Sequence, residues 1–169
     1  ADVINASWGG PQASQALYET IREASEAGVL FVAAAGNSAL NNDFFDSFPA
    51  NYPVKGLVSV AATEFNDQRV YFSNFGKRKV HVSAPGHVIL STTLGKKTYQ
   101  FMSGTSMAAP QVAGLAAMMI GLNPQKFDRN PEALKKYLMM TSDRSVALNW
   151  LVGSGGRINA YNAAAGVIP

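Results

Sequence analysis

The seven residues Val29-Leu30-Phe31-Val32-Ala33-Ala34-Ala35 constrain this chain's fold more than any other stretch. A short, uninterrupted apolar run between Gly28 and Gly36 reads as a strand buried on both faces, as in a parallel sheet covered by helices. Ahead of it, Pro11 to Ala27 carries Ala13, Leu17, Ile21 and Ala24 three or four residues apart, the spacing of an amphipathic helix. Gly28 stands where such a helix stops. Asp2 to Ser7 is strand-like and ends in Ser7-Trp8-Gly9-Gly10. This strand–helix–strand order predicts a right-handed βαβ unit and an α/β fold.

The rest of the chain continues the pattern. A polar segment from Gly36 to Pro53, about 18 residues long, exceeds most connections in compact domains, and such loops often carry function. Leu57 to Thr63 reads as a second buried strand. Val70 to Ser73 and Lys79 to Ser83 read as short strands, and Val88–Thr92 with Thr98–Met102 as a hairpin around Gly95-Lys96. An Ala-rich helix is expected from near Thr105 to about Gly121, ended by Asn123-Pro124. Asn130-Pro131-Glu132 is a cap followed by Pro at the first helical position, starting a helix that runs to about Thr141. Asn159 to Ala165 forms a last short helix.

Composition narrows the function classes. At 169 residues the chain is about one domain, and 47% hydrophobic with 15% charged residues is the balance of a globular protein with a sizeable core. The net charge is only +3, and the basic runs Lys77-Arg78-Lys79 and Lys96-Lys97 are short, so no nucleic-acid surface is expected. With no cysteine, disulfides and thiolate metal sites are excluded. No apolar run is expected to reach the roughly 18 residues that span a membrane. The start at Ala1-Asp2-Val3-Ile4-Asn5 lacks a signal peptide and reads as a start in mid-fold.

Gly104-Thr105-Ser106-Met107-Ala108-Ala109-Pro110 places a serine at the start of the Ala-rich helix. Such a serine is either an N-cap or a nucleophile at the positive end of the helix dipole, its own N–H aimed at a developing oxyanion. The local pattern favours the cap, since caps are common. Asn37 likewise follows a glycine at the C-terminal end of a buried strand, where a turn residue is the ordinary occupant and ligands of open α/β sheets also gather.

The run Gly104 to Ala108 with Pro110 closely resembles the nucleophile motif of the subtilisin-like serine proteases. Ala34-Ala35-Gly36-Asn37, Ser7-Trp8-Gly9, Tyr52-Pro53, Phe72 to Gly76, Ser83-Ala84-Pro85-Gly86 and Gly156 to Ala160 match in family order across nearly the whole chain. The resemblance implies a three-layer fold with a mostly parallel sheet, here incomplete, and serine endopeptidase chemistry. It assigns the nucleophile to Ser106 and the oxyanion asparagine to Asn37. Ser7, Trp8 and Gly9 become the substrate-pairing strand, with Trp8 equally readable as a core aromatic. Ala34, Ala35 and Gly36 become a wall of the primary specificity pocket, whose base falls near Asp46, Ser47 or Phe48. Thr105 becomes the helix boundary. Peptides or proteins are the implied substrates, and an extracellular or vesicular location the implied setting.

Two departures stand out. Gln111 replaces a family histidine that is not catalytic, a matter of local packing. The triad's own histidine and aspartate have no match: His81 and His87 fall in other contexts. The expectation is therefore that residues 1–169 are the C-terminal part of the catalytic domain, inactive alone and partnered by its N-terminal part. An exposed sheet edge would also offer a route to homo-oligomers. The competing reading is an inactive homologue kept as a binding or scaffolding module. No metal site is expected from Asn41, Asn42, Asp43 and Asp46, while the resemblance allows calcium near Tyr52, a site that the Val54-Lys55-Gly56 insertion disturbs.

Overall fold

The structure is a computed structural model that describes residues 1–95 and 98–169. Its elements are β1 (Val3–Ala6), α1 (Gln15–Glu26), β2 (Leu30–Ala34), β3 (Leu57–Thr63), β4 (Val82–Pro85), β5 (Ile89–Thr92), β6 (Tyr99–Met102), α2 (Thr105–Leu122), α3 (Pro124–Phe127), α4 (Pro131–Met140), β7 (Asp143–Arg144), β8 (Gly156–Arg157) and α5 (Ala160–Ala165). The main sheet has the order β1-β2-β3-β4-β8-β7, parallel except for the β7–β8 pair, while β5 and β6 form a separate antiparallel hairpin. Lys96, expected with Gly95 at the hairpin tip, and its neighbour Lys97 lie outside the described residues.

Every residue of β2 and β3 is buried, as their unbroken apolar runs require. Alternation sorts them between two faces. Leu30, Val32 and Ala34 pack with Val58, Val60 and Ala62 against α2 and α4, through Val112, Leu134 and Leu138. Phe31, Ala33 and Leu57 pack on the other face with Ile21 of α1 and with Tyr52 and Val54. The result is the expected three-layer architecture.

The differences from expectation have local causes. Helix α1 starts at Gln15 rather than Pro11, because Ser14 caps it by accepting from the Leu17 N–H at 3.3 Å. Tyr52 pins that cap, its hydroxyl accepting from Ser14 N at 2.8 Å and donating to Ser14 O at 2.9 Å. Val70 to Ser73 is not a strand. The Arg69 guanidinium reaches the carbonyls of Val70, Tyr71 and Ser73 at 3.1, 3.2 and 2.5 Å and curls the segment into a turn. Strand β4 begins at Val82 rather than Lys79, since the amides of Arg78 and Lys79 donate to the Asp43 carboxylate instead of a ladder.

Helix α2 also corrects the expectation about apolar runs. Its 18 residues are uncharged, and by length and hydropathy it is the one helix among the described residues able to cross a membrane. Its side chains Ala108, Ala109, Val112, Ala116 and Met119 are instead buried against the sheet.

Candidate active site

Helix α2 begins at Thr105, so Ser106 lies inside its first turn, and Gly104 is the cap without any side-chain cap bond. The capping reading of Ser106 therefore fails. Its hydroxyl donates to the Ser7 carbonyl at 2.9 Å, and the Ser7 hydroxyl donates back to the Ser106 carbonyl at 2.8 Å. Pro110 makes the second bond available. A helix normally ties the carbonyl of residue 106 to the N–H of residue 110, and proline has none. The end of β1 is thus clasped to the start of α2.

Asn37 follows β2, whose C-terminal end opens toward the same helix. Its Oδ1 accepts from Thr105 N at 2.8 Å and from Thr105 Oγ1 at 3.0 Å. Thr105 Oγ1 in turn accepts from Gly36 N at 3.2 Å. With Oδ1 committed, Asn37 Nδ2 has no protein partner among the described residues, and neither does the Ser106 N–H, a first-turn helix donor. The two donor nitrogens border one space. A Cβ on Gly104 would lie 3.5 Å from Asn37 Nδ2 and 3.6 Å from Ser106 N. Gly104, at φ 156° and ψ 161°, has the backbone only glycine tolerates and leaves that space open.

Beside Ser106 lies a cavity of about 290 Å³, walled by Trp8, Gly9, Ala34, Gly36, Asn37 and Asp46, with Ser47. Trp8 is 53% exposed, so it is a wall residue and not a core aromatic. Ala35 departs from expectation. Its side chain is buried with Ala61 and Val80, while its carbonyl accepts from Asn42 and Asn74 at 3.0 and 3.1 Å. Asp46 accepts from Asn51 Nδ2 at 3.0 Å and Lys79 Nζ at 2.6 Å. The Asn51 hydrogen bond, then Lys79, hold its carboxyl below the usual range.

The arrangement is a serine, two unpaired donors and an adjoining pocket, and it meets a matching family. The subtilase family model aligns with residues 1–156. The chain belongs to the subtilase family.

Among curated relatives, the subtilase-type proteinase psp3 of Schizosaccharomyces pombe is 43% identical over 163 residues, 96% of this chain and 34% of its own length. A thermophilic serine proteinase of Bacillus sp. is 38% identical over 168 residues, 96% of this chain and 37% of its own length. This subtilase chain therefore spans about a third of those relatives. A protease structure from Pseudoalteromonas arctica superposes with a TM-score of 0.83 at 34% identity, covering 99% of this chain and 51% of that one.

Neither histidine of this subtilase chain meets Ser106. His81 Nδ1 accepts from Ser59 N at 2.8 Å, and His87 Nδ1 pairs with Glu64 Oε2 at 2.6 Å. Burial, then the charge of Lys135, push the His81 pKa down to about 3. Gln111 spans the Pro85 and Met107 carbonyls at 2.7 and 3.1 Å.

The oxygens considered for calcium are already engaged. Asn41 Oδ1 accepts from Asp43 N and Asn42 Oδ1 from Asn74 Nδ2. Asp43 accepts from Arg78 and Lys79 N–H groups, and Asp46 from Asn51 and Lys79. The cleft around Tyr52 is lined by cationic side chains and no carboxylate.

Sequence reasoning passed over Asn74, the residue that fixes the loop after Gly36. Its Oδ1 accepts from Ser38 N and Leu40 N at 2.9 and 3.1 Å, and its Nδ2 reaches Ala35 O and Asn42 Oδ1. Its only signal was membership of the Phe72 to Gly76 match.

Proposed function

We propose that this protein hydrolyses peptide bonds as a serine endopeptidase with Ser106 as its nucleophile. The observation that carries the reading is the convergence of Asn37 Nδ2 and the Ser106 N–H on the space beside Gly104. Ser106 Oγ attacks the scissile carbonyl carbon as its proton passes to a base, and the negative oxygen settles between the two donors. Collapse expels the amine and leaves an acyl ester on Ser106, which water hydrolyses by the same route in reverse.

His81 and His87 are committed elsewhere, so the base and its carboxylate come from protein outside residues 1–169. In this reading residues 1–169 are the C-terminal part of the catalytic domain, inactive alone, and the sheet edge at β1 is where the remainder or a second copy pairs. Ser7, Trp8 and Gly9 align an extended peptide or protein substrate, and Ala34 and Gly36 face it across the pocket. The bacterial subtilisins among the relatives fit an extracellular location.

One observation favours a second reading, a non-catalytic binding module: the Ser106 hydroxyl is already satisfied by Ser7 O. Turnover of a chromogenic peptide by the intact protein separates the two. The peptidase reading expects Ser106→Ala to abolish turnover. It expects Asn37→Ala to lower kcat by ~10²–10³, a figure measured on subtilisin itself, with KM little changed. A folded intact protein that binds the peptide and never cleaves it would establish the module instead.

A further inference from the structure

At the far end of the parallel strands from Ser106, where the chain enters β3 and β4, a cleft of about 340 Å³ is lined by Tyr52, Lys55, Arg78, Lys79, His81 and Lys135 together with Asn51 and apolar loop residues. No aspartate or glutamate lines it. Lys55, Arg78 and Lys79 have carboxylate partners outside the cleft, at Glu132 (3.7 Å), Asp43 (3.7 Å) and Asp46 (2.6 Å). Lys135, projecting from α4, has neither a hydrogen bond nor an ion pair among the described residues.

His81 adds a second donor. Because Nδ1 accepts the Ser59 N–H at 2.8 Å, the proton of the neutral ring sits on Nε2, which has no partner among the described residues. One lysine without a direct ion pair and one imidazole N–H therefore share a cleft, with the loosely paired Arg78 at its rim. Glu132, one turn earlier on α4, favours the Lys135 ammonium from a distance but makes no ion pair with it, so a half-buried cation is left that an anion in the cleft would stabilise.

We infer that this cleft is a binding site for a small oxyanion of the phosphate or sulfate type, held by Lys135 Nζ and His81 Nε2–H with Arg78 closing over it. It lies where the family resemblance suggested a cation, and its side chains select the opposite charge. Burial already holds the Lys135 pKa down to about 8, and burial with the Lys135 charge keeps His81 neutral, so the ring serves as a donor without needing to be charged. The inference does not rest on the peptidase reading, since no residue of the Ser106 site takes part.

Titrating the intact protein with inorganic phosphate at fixed ionic strength tests it, read by the His81 imidazole resonances and by Tm. The expected result is a saturable shift of those resonances with a rise in Tm. Binding should weaken by about tenfold or more in Lys135→Gln and persist in Lys135→Arg. Lys135→Gln removes an unpaired charge, and its Tm without phosphate reports whether it folds. Should it not fold, displacement of phosphate by sulfate on the His81 resonances of the unaltered protein decides. The inference is overturned if phosphate gives no saturable shift, if Lys135→Gln responds as the unaltered protein does, or if calcium chloride moves the same resonances.

Discussion

Acid should destabilise this protein through His81, and replacing that residue by asparagine should remove the effect. The His81 ring accepts a backbone N–H through Nδ1, a bond that a protonated imidazole cannot make. Burial and Lys135 hold its folded pKa at about 3 against 6.5 for the free side chain. Between those values the unfolded chain binds a proton that the folded protein refuses, so stability rises with pH across the window and falls as acid is added. The contribution is whole above the unfolded value and is lost progressively toward the folded one. The slope reaches ~1.4 kcal/mol per pH unit, and the full window is worth about 4–5 kcal/mol. Against a total stability of about 5–15 kcal/mol, that decides whether the fold survives mild acid. His81→Asn keeps an acceptor for Ser59 N and has nothing to titrate. Urea unfolding at about pH 7, 5.5 and 4, which span the window, should show the unaltered protein losing stability more steeply than the variant. Parallel pH profiles for the two proteins would refute the reasoning.

Three further outcomes follow from the same geometry. Ser7→Ala leaves the Ser106 carbonyl without its donor and should cost about 1–2 kcal/mol in urea unfolding. Pro110→Ala restores an amide that can satisfy that carbonyl, so the double variant should lose less than the sum. Lys79→Ala removes the cation from Asp46 beside the pocket, and in the active protein should raise kcat/KM for Lys or Arg next to the cleaved bond by roughly tenfold over Leu. Ile21→Ala deletes the one buried side chain of α1 and should cost about 2–5 kcal/mol by calorimetry or denaturant.

The layers of the fold were legible because apolar continuity survives in the sequence. Leu57–Thr63 was expected as a strand and is one, and Asn130-Pro131 starts α4 through an Asn130 side chain that accepts from Ala133 N at 3.3 Å. What failed were segments whose backbone is satisfied by side chains rather than by a ladder or a helix. Arg69 undoes a strand at Val70–Ser73, Asp43 takes the amides before β4, and Ser14 with Tyr52 resets the start of α1. None of these leaves a periodic signal: the Arg69 turn is local but aperiodic, and the Asp43 and Tyr52 partners are brought in by the tertiary fold.

At the site, the motifs marked Ser106 and Asn37, and the structure adds why they face one space. Thr105 orients Asn37, and Gly104 leaves the room. Ala35, just past the end of β2, packs its side chain against Ala61 and Val80 instead of the pocket, and Asn74 was missed because a buried asparagine reads as any loop asparagine.

The most direct test of the central claim is fluorophosphonate labelling of the intact protein, followed by peptide mapping. The account predicts one phosphonyl adduct, on Ser106, absent in Ser106→Ala and much slowed in Asn37→Ala, with no adduct on residues 1–169 alone. A folded intact protein that cleaves peptides while Ser106 stays unlabelled, or that labels elsewhere, would contradict it.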